Sequence, residues 1–318
     1  MSPAQPANRR NRHATSKSGG RAKTFQAVLQ SIWVLFLFEA VLAQSLTQKL
    51  DNSSLVDWAR WVVRATGNSA VSGAERTQKV EALERAKISA EQNLLVALRQ
   101  INLNANVQIH DMIDNQSISE LDLSSLVQGF TVVDTRSMSD MSIEVDVELP
   151  LTGELLNLVL PKETGKAPLR LTSTPLCPCC GQPWPERRAV PGGIKFIVPS
   201  EGHTTEKGLP FTGLLVDARD LELRPAVLSR ICNEDGEEIY GVGFVTRQIA
   251  LETGLVAFRK DRNLRDGRVG ADPLIIRALK TTGALNSDIV VSNSDALIIH
   301  AAAKSQNFLS QCKVVIFI

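Results

Sequence analysis

The sequence predicts an α+β protein of two small domains, the first a long helix packed on a short antiparallel sheet, the second a mixed α/β sheet domain, joined by a proline-rich segment. Three observations predict it. Residues 74–100 carry apolar residues at helical spacing, residues 143–149 alternate strictly between apolar and acidic, and residues 161–191 hold seven prolines. The 318 residues suffice for about two domains.

In chain order, the first feature is a leader. Arg9, Arg10, Arg12, Lys17, Arg21 and Lys23 stand against Glu39 alone, so residues 1–43 carry +5 and the remainder sums to −4. An apolar run, Ile32-Trp33-Val34-Leu35-Phe36-Leu37-Phe38, follows the basic tail and ends in Val41-Leu42-Ala43. The run is shorter than the roughly 20 residues of a membrane span. A basic tail, a short apolar core and small residues at the cut define a signal peptide over 1–43, cleaved between Ala43 and Gln44. An uncleaved anchor is the alternative. Arg9-Arg10 reads as ordinary basic charge, since the apolar core starts far downstream.

The body that remains is mildly acidic, and aromatics make up 5% with Tyr240 the single tyrosine. Nucleic-acid binding needs basic charge or stacking faces, and this body offers neither. Expected partners are envelope proteins or a second copy, with membrane contact only through the leader or a partner.

Residues 50–160 form the first expected domain. Trp58–Ala65 reads as a strand closed by a turn at Thr66-Gly67-Asn68. A helix follows from Ala74 to Gln100, with Val80, Leu83, Ala90, Leu94 and Ile101 on its apolar face. Phe130–Arg136 and Ile143–Leu149 are the next strands. Alternation buries one face of the second and carries Glu144, Asp146 and Glu148 into water. Same-face neighbours lie nearly 7 Å apart, too far for one small cation to bridge all three.

Residues 161–194 are the expected linker, rich in proline and cysteine. Its Cys177-Pro178-Cys179-Cys180-Gly181 is the one chemical cluster in the sequence. Cys177 and Cys180 have the C-x-x-C spacing of a zinc knuckle, which would need Cys179, His203, Cys232 or Cys312 to complete four ligands. A disulfide competes in an oxidising compartment, and free thiols remain open. Zinc is thus one reading of the site and no cofactor the other. His13, His110, His203 and His300 are scattered and form no ligand pair.

Residues 195–318 form the second expected domain. Phe211–Asp217, Val227–Cys232, Glu237–Tyr240 and Asp288–Val291 read as strands, with an Asp235-Gly236 hairpin turn between the second and third. Ser292-Asn293-Ser294-Asp295 caps a helix through Ala296–Lys304, and the apolar run Cys312–Ile318 pairs inside a sheet. Asp217 and Arg219 share a strand face, where an ion pair is the simple reading. No Walker loop, dinucleotide fingerprint or G-x-S-x-G elbow occurs, so the expected function is non-catalytic.

Trp61-Val62-Val63-Arg64-Ala65-Thr66-Gly67, then Glu91-Gln92-Asn93-Leu94-Leu95, Val127-Gln128-Gly129-Phe130 and the Val145–Pro150 strand resemble the LPP-twenty lipoprotein family across about residues 55–160. A related domain occurs at the N-terminus of flagellar assembly protein T. Thr212–Arg219 and Glu234–Gly241 are similar to a C-terminal extension of some members. The resemblance implies a periplasmic or outer-membrane-associated envelope protein linked to envelope or flagellar assembly. Family lipoproteins carry cysteine directly after the cleavage site. Gln44 stands there, so no lipid anchor is expected.

Overall fold

A computed structural model describes residues 46–72, 76–171, 184, 211–260 and 265–318. The leader, Ala43 and Gln44, and the cysteines 177, 179 and 180 lie outside the described residues. Five strands of the N-terminal half, β1 (Thr47–Lys49), β2 (Ser54–Asp57), β3 (Val62–Ala70), β4 (Thr131–Ser137) and β5 (Ser142–Pro150), build one antiparallel sheet in the order β1-β2-β3-β5-β4. Helix α1 (Arg76–Arg99) packs on β3 and β5, and the shorter α2 (Ile109–Asp114), α3 (Glu120–Val127) and α4 (Glu154–Val159) complete this half. Ser119 caps α3 by accepting the Asp122 amide at 3.1 Å.

Two local expectations are corrected. Thr66-Gly67-Asn68 is no turn, because β3 runs through it to Ala70. Glycine is required there by α1. A Cβ on Gly67 would lie 2.1 Å from the Ala90 nitrogen and 2.2 Å from the Ala86 oxygen. Of the expected face, Ala90, Leu94 and Ile101 are buried and Leu83 packs against the core, but Val80 is 55% exposed, and Ala82, Ala86, Ala97 and Leu98 complete the buried stripe. Alanine at steps of four lets helix and sheet backbones meet, and Asn93 Nδ2 bonds the Thr66 carbonyl at 2.8 Å.

The C-terminal half holds two four-stranded sheets. β6 (Leu214–Asp217), β9 (Ala257–Arg259), β10 (Leu274–Arg277) and β13 (Val314–Phe317) form an all-parallel sheet, ordered β10-β6-β13-β9. The C-terminal apolar run is therefore an inner strand, and β13 is buried at all four residues, as parallel sheets demand. β7 (Ile231–Cys232), β8 (Glu238–Tyr240), β11 (Lys280–Thr282) and β12 (Asp288–Val290) form a mixed sheet, ordered β11-β12-β7-β8. The Asn233–Gly236 hairpin is present, with Gly236 at φ 80°. Helices α5 (Arg247–Thr253) and α6 (Asn293–Gln306) lie between strands, and Ser292 caps α6 by accepting the Asp295 amide at 3.0 Å.

The expected strand Val227–Cys232 is shorter than its apolar run. Val227 and Leu228 donate instead to the carbonyls of Asn102 and Leu103, at 3.0 and 2.6 Å. Those bonds join the halves. Trp58 and Trp61 reach the Phe258 ring, with centroids 5.8 and 6.4 Å away, and Gly153 donates to the Leu251 carbonyl at 2.8 Å. Ser45–Ile318 is one compact unit with a shared apolar core.

Candidate functional site

β3, β4 and β5 present their second face away from α1. Register sets Arg64 opposite Glu148, Thr66 opposite Asp146, and Arg136 opposite Glu144. The acids of β5 are not simply solvated, which corrects the sequence expectation: Asp146 and Glu148 are 8% and 7% exposed. Arg60, from the turn before β3, grips Glu148 through two bonds of 2.8 and 3.0 Å, and Arg64 Nε adds a third at 3.0 Å. Arg136 donates to Asp134 and Asp146 at 2.7 Å each and to Glu144 at 3.2 Å. Thr66 Oγ1 donates to Asp146 at 2.6 Å.

Burial would raise both inner carboxyls. The arginine bonds outweigh it, so Glu148 and Asp146 titrate below their ordinary values. Arg136 is held above its own, chiefly by the Asp146 bond. Their lone pairs are taken by guanidinium and hydroxyl donors, which leaves no oxygen cage for a divalent ion. What the arrangement offers is a fixed surface of alternating charge, with Arg60, Arg64 and Arg136 55%, 38% and 43% exposed at the side chain. That suits recognition of another charged protein face, where such matching sets specificity and on-rate.

β4 edges this surface, and all seven of its residues are exposed. It is blunted against strand addition by a register shift between Val132 and Asp134, and by Asp134 Oδ1, which accepts the Thr135 amide at 2.8 Å.

The carboxyl end of the parallel sheet is where ligands bind in many open α/β sheets. Asp217, Arg277 and Phe317 are in register there. Arg219 folds back on Asp217 with bonds of 2.8 and 2.7 Å, which pulls Asp217 below its ordinary value, and Arg277 bonds Asp220 at 2.7 Å. The ion-pair reading of Asp217 and Arg219 therefore describes the geometry.

Two buried polar centres were not legible in the sequence. Arg230 donates twice to Asp288 Oδ2, at 2.9 and 2.5 Å, and Asp288 is 1% exposed. Arg268, in a 3-10 turn at Gly267–Val269, donates to the carbonyls of Cys312, Thr253 and Gly254 at 2.6, 2.8 and 2.6 Å. It ties the C-terminus of α5 to the start of β13, and burial lowers its pKa. Arg268→Met strands the buried Cys312 and Gly254 carbonyls, with an expected loss of about 2–4 kcal/mol in urea unfolding. Arg268→Lys should fall between the two, because an ammonium lacks the planar fork.

Cys177 and Cys180, the expected metal or disulfide pair, lie outside the described residues, as do Cys179 and His203. Cys232 and Cys312 are free and buried, and burial pushes both thiols up, away from thiolate reactivity. Among the described residues no three His, Cys, Asp or Glu side chains are grouped to hold a metal ion. His110 Nδ1 lies 3.3 Å from the Arg99 carbonyl, and His300 is fully buried. A shallow groove between α3 and α4 is lined by Asp122, Ser125, Leu126, Glu154, Asn157 and Leu158. Its Asp122 is spent on the α3 cap.

Fold and site together define an α+β protein with a paired-charge face. Residues 213–318 match the family model described as Treponema pallidum Tp0624, second domain. The match runs from just before β6 through β13, so it takes in both C-terminal sheets. No curated protein matches the chain. No helix among the described residues is long and apolar enough to cross a membrane.

Proposed function

We propose that the protein is a non-catalytic, exported envelope protein that acts as an interaction module in the periplasm or at the outer membrane, linked to envelope or flagellar assembly. Its partners are envelope proteins or a second copy. The observation that carries this reading is the arginine–carboxylate face of β3–β5, where Arg60, Arg64 and Arg136 are paired with acids beneath them and reach solvent. The leader over 1–43 and the resemblance of residues 55–160 to LPP-twenty proteins support the compartment.

Fractionation of the native host, with mass spectrometry of the purified protein, tests it. The expected result is a periplasmic or membrane-associated protein beginning at Gln44, and deletion of 1–43 should hold it in the cytoplasm. A cytoplasmic protein beginning at Met1 overturns the reading. Pull-down from the periplasm should lose its partner when Arg60→Gln is introduced, a change that removes the exposed charge but keeps an amide donor for Glu148, which Arg64 still bonds. Zinc at Cys177 and Cys180 is the second proposal from the sequence. Metal analysis with thiol counting decides it, and no zinc with few free thiols leaves the disulfide.

A further inference from the structure

Residues 161–171 lie as a strap along the loop after β8. Gly165 donates to the Val242 carbonyl at 3.2 Å, Ala167 to the Gly243 carbonyl at 2.8 Å, and Ala167 and Leu169 pack against the core. The last of these attachments is made to a histidine of α6. The Arg170 amide donates to His300 Nδ1 at 2.8 Å, while His300 Nε2 lies 2.8 Å from the Ile239 carbonyl. A carbonyl can only accept, so Nε2 carries the hydrogen and Nδ1 is bare. The ring is fully buried, with Phe244 against it at 5.1 Å.

We propose that His300 is a proton-operated latch: a proton taken from solvent onto Nδ1 turns the acceptor into a donor, breaks the bond to the Arg170 amide and frees the end of the strap. No other bond need change, since Nε2 keeps its hydrogen and its Ile239 partner. In sequence, the strap precedes Cys177 and Cys180.

Charged groups of both signs stand on the elements around the ring. From the strap comes Arg170, whose side chain pairs with Glu237. From β8 come Glu238, with its carboxyl on the Gly243 amide at 3.1 Å, and the buried Tyr240. From α6 itself comes Lys304, one turn on. Burial first, and then the Arg170 charge, lower the imidazole below its ordinary 6.5, against the pull of the Ile239 carbonyl. The latch therefore stays closed to a lower pH than an ordinary imidazole would allow. Below pH 6.5 the unfolded chain takes the proton more readily than the folded one, and the latch's contribution to stability is lost as pH falls.

Amide-resolved NMR of the full chain between pH 7.5 and 5 tests this. The Arg170 amide should shift with the same midpoint as the His300 ring, and its water exchange, corrected for intrinsic pH dependence, should rise about tenfold, the factor carried by one hydrogen bond of ordinary strength. His300→Asn keeps an acceptor near the Nδ1 position and cannot titrate, so its Arg170 amide should be indifferent to pH. An Arg170 amide that stays fixed while the ring titrates, or that responds equally in His300→Asn, overturns the proposal. So does loss of the whole fold before the ring titrates.

Discussion

Valine at position 67 is expected to prevent the chain from forming its N-terminal sheet on α1. A Cβ there would sit 2.1 Å from the Ala90 nitrogen and 2.2 Å from the Ala86 oxygen, and both are backbone atoms of the helix. No side-chain rotation relieves such a clash, so the helix must lift from the sheet by more than an ångström. Lifting uncovers Ala82, Ala86, Ala90 and Leu94, and on the sheet Val63, Ala65, Val145 and Val147, all fully buried. Overpacking with room to relax costs about 1–3 kcal/mol. Without that room, Gly67→Ala should lose more than about 3 kcal/mol, and Gly67→Val should exhaust much of a typical stability of about 5–15 kcal/mol. Urea unfolding followed by circular dichroism reads this directly. Gly267→Ala is the control, because nothing lies within 4 Å of a Cβ there. A Gly67→Ala protein that unfolds like the parent would show that the helix does not rest on this strand.

The same glycine marks how far sequence reasoning reaches. Thr66-Gly67-Asn68 has the composition of a turn, and local chemistry gives no sign that a helix will later press on it. The periodicity of 74–100 locates α1 well but favours its branched residues, whereas close backbone approach selects alanine. Signals carried within a few residues were legible: the alternation of β5, the Asp235-Gly236 turn, and Ser292 at the head of α6. Partners brought from far along the chain were not. β13 enters between β6 and β9, and Glu148 meets arginines contributed by β3 and the turn before it. Alternation told which acids share a face. It did not tell that Arg60, Arg64 and Arg136 would cover them. The short helices α2 to α5 have too few turns for a period to emerge, and packing fixes them.

The second large effect lies at Arg230 and Asp288, and it should be asymmetric. Both arginine bonds fall on Asp288 Oδ2, while Oδ1 is buried with no partner in reach. The carboxylate thus depends wholly on Arg230, and Asp288 is 1% exposed at the side chain against 37% for Arg230. Arg230→Leu leaves a buried charge with nothing to answer it, a change that costs about 3–5 kcal/mol. Asp288→Leu leaves an arginine whose head can turn to water, so its cost should be smaller, about 1–2 kcal/mol of lost bonding. The double variant removes both charges and should regain most of what Arg230→Leu loses, since a buried pair replaced by apolar side chains is often neutral. Urea unfolding of the four proteins forms a double-mutant cycle, with an expected coupling of at least about 2 kcal/mol. The coupling should persist at high salt, because screening acts weakly on a charge removed from solvent. Equal costs for the two single changes, or additivity in the double, would mean that Asp288 reaches water after all and that the mixed sheet is held by its apolar contacts alone.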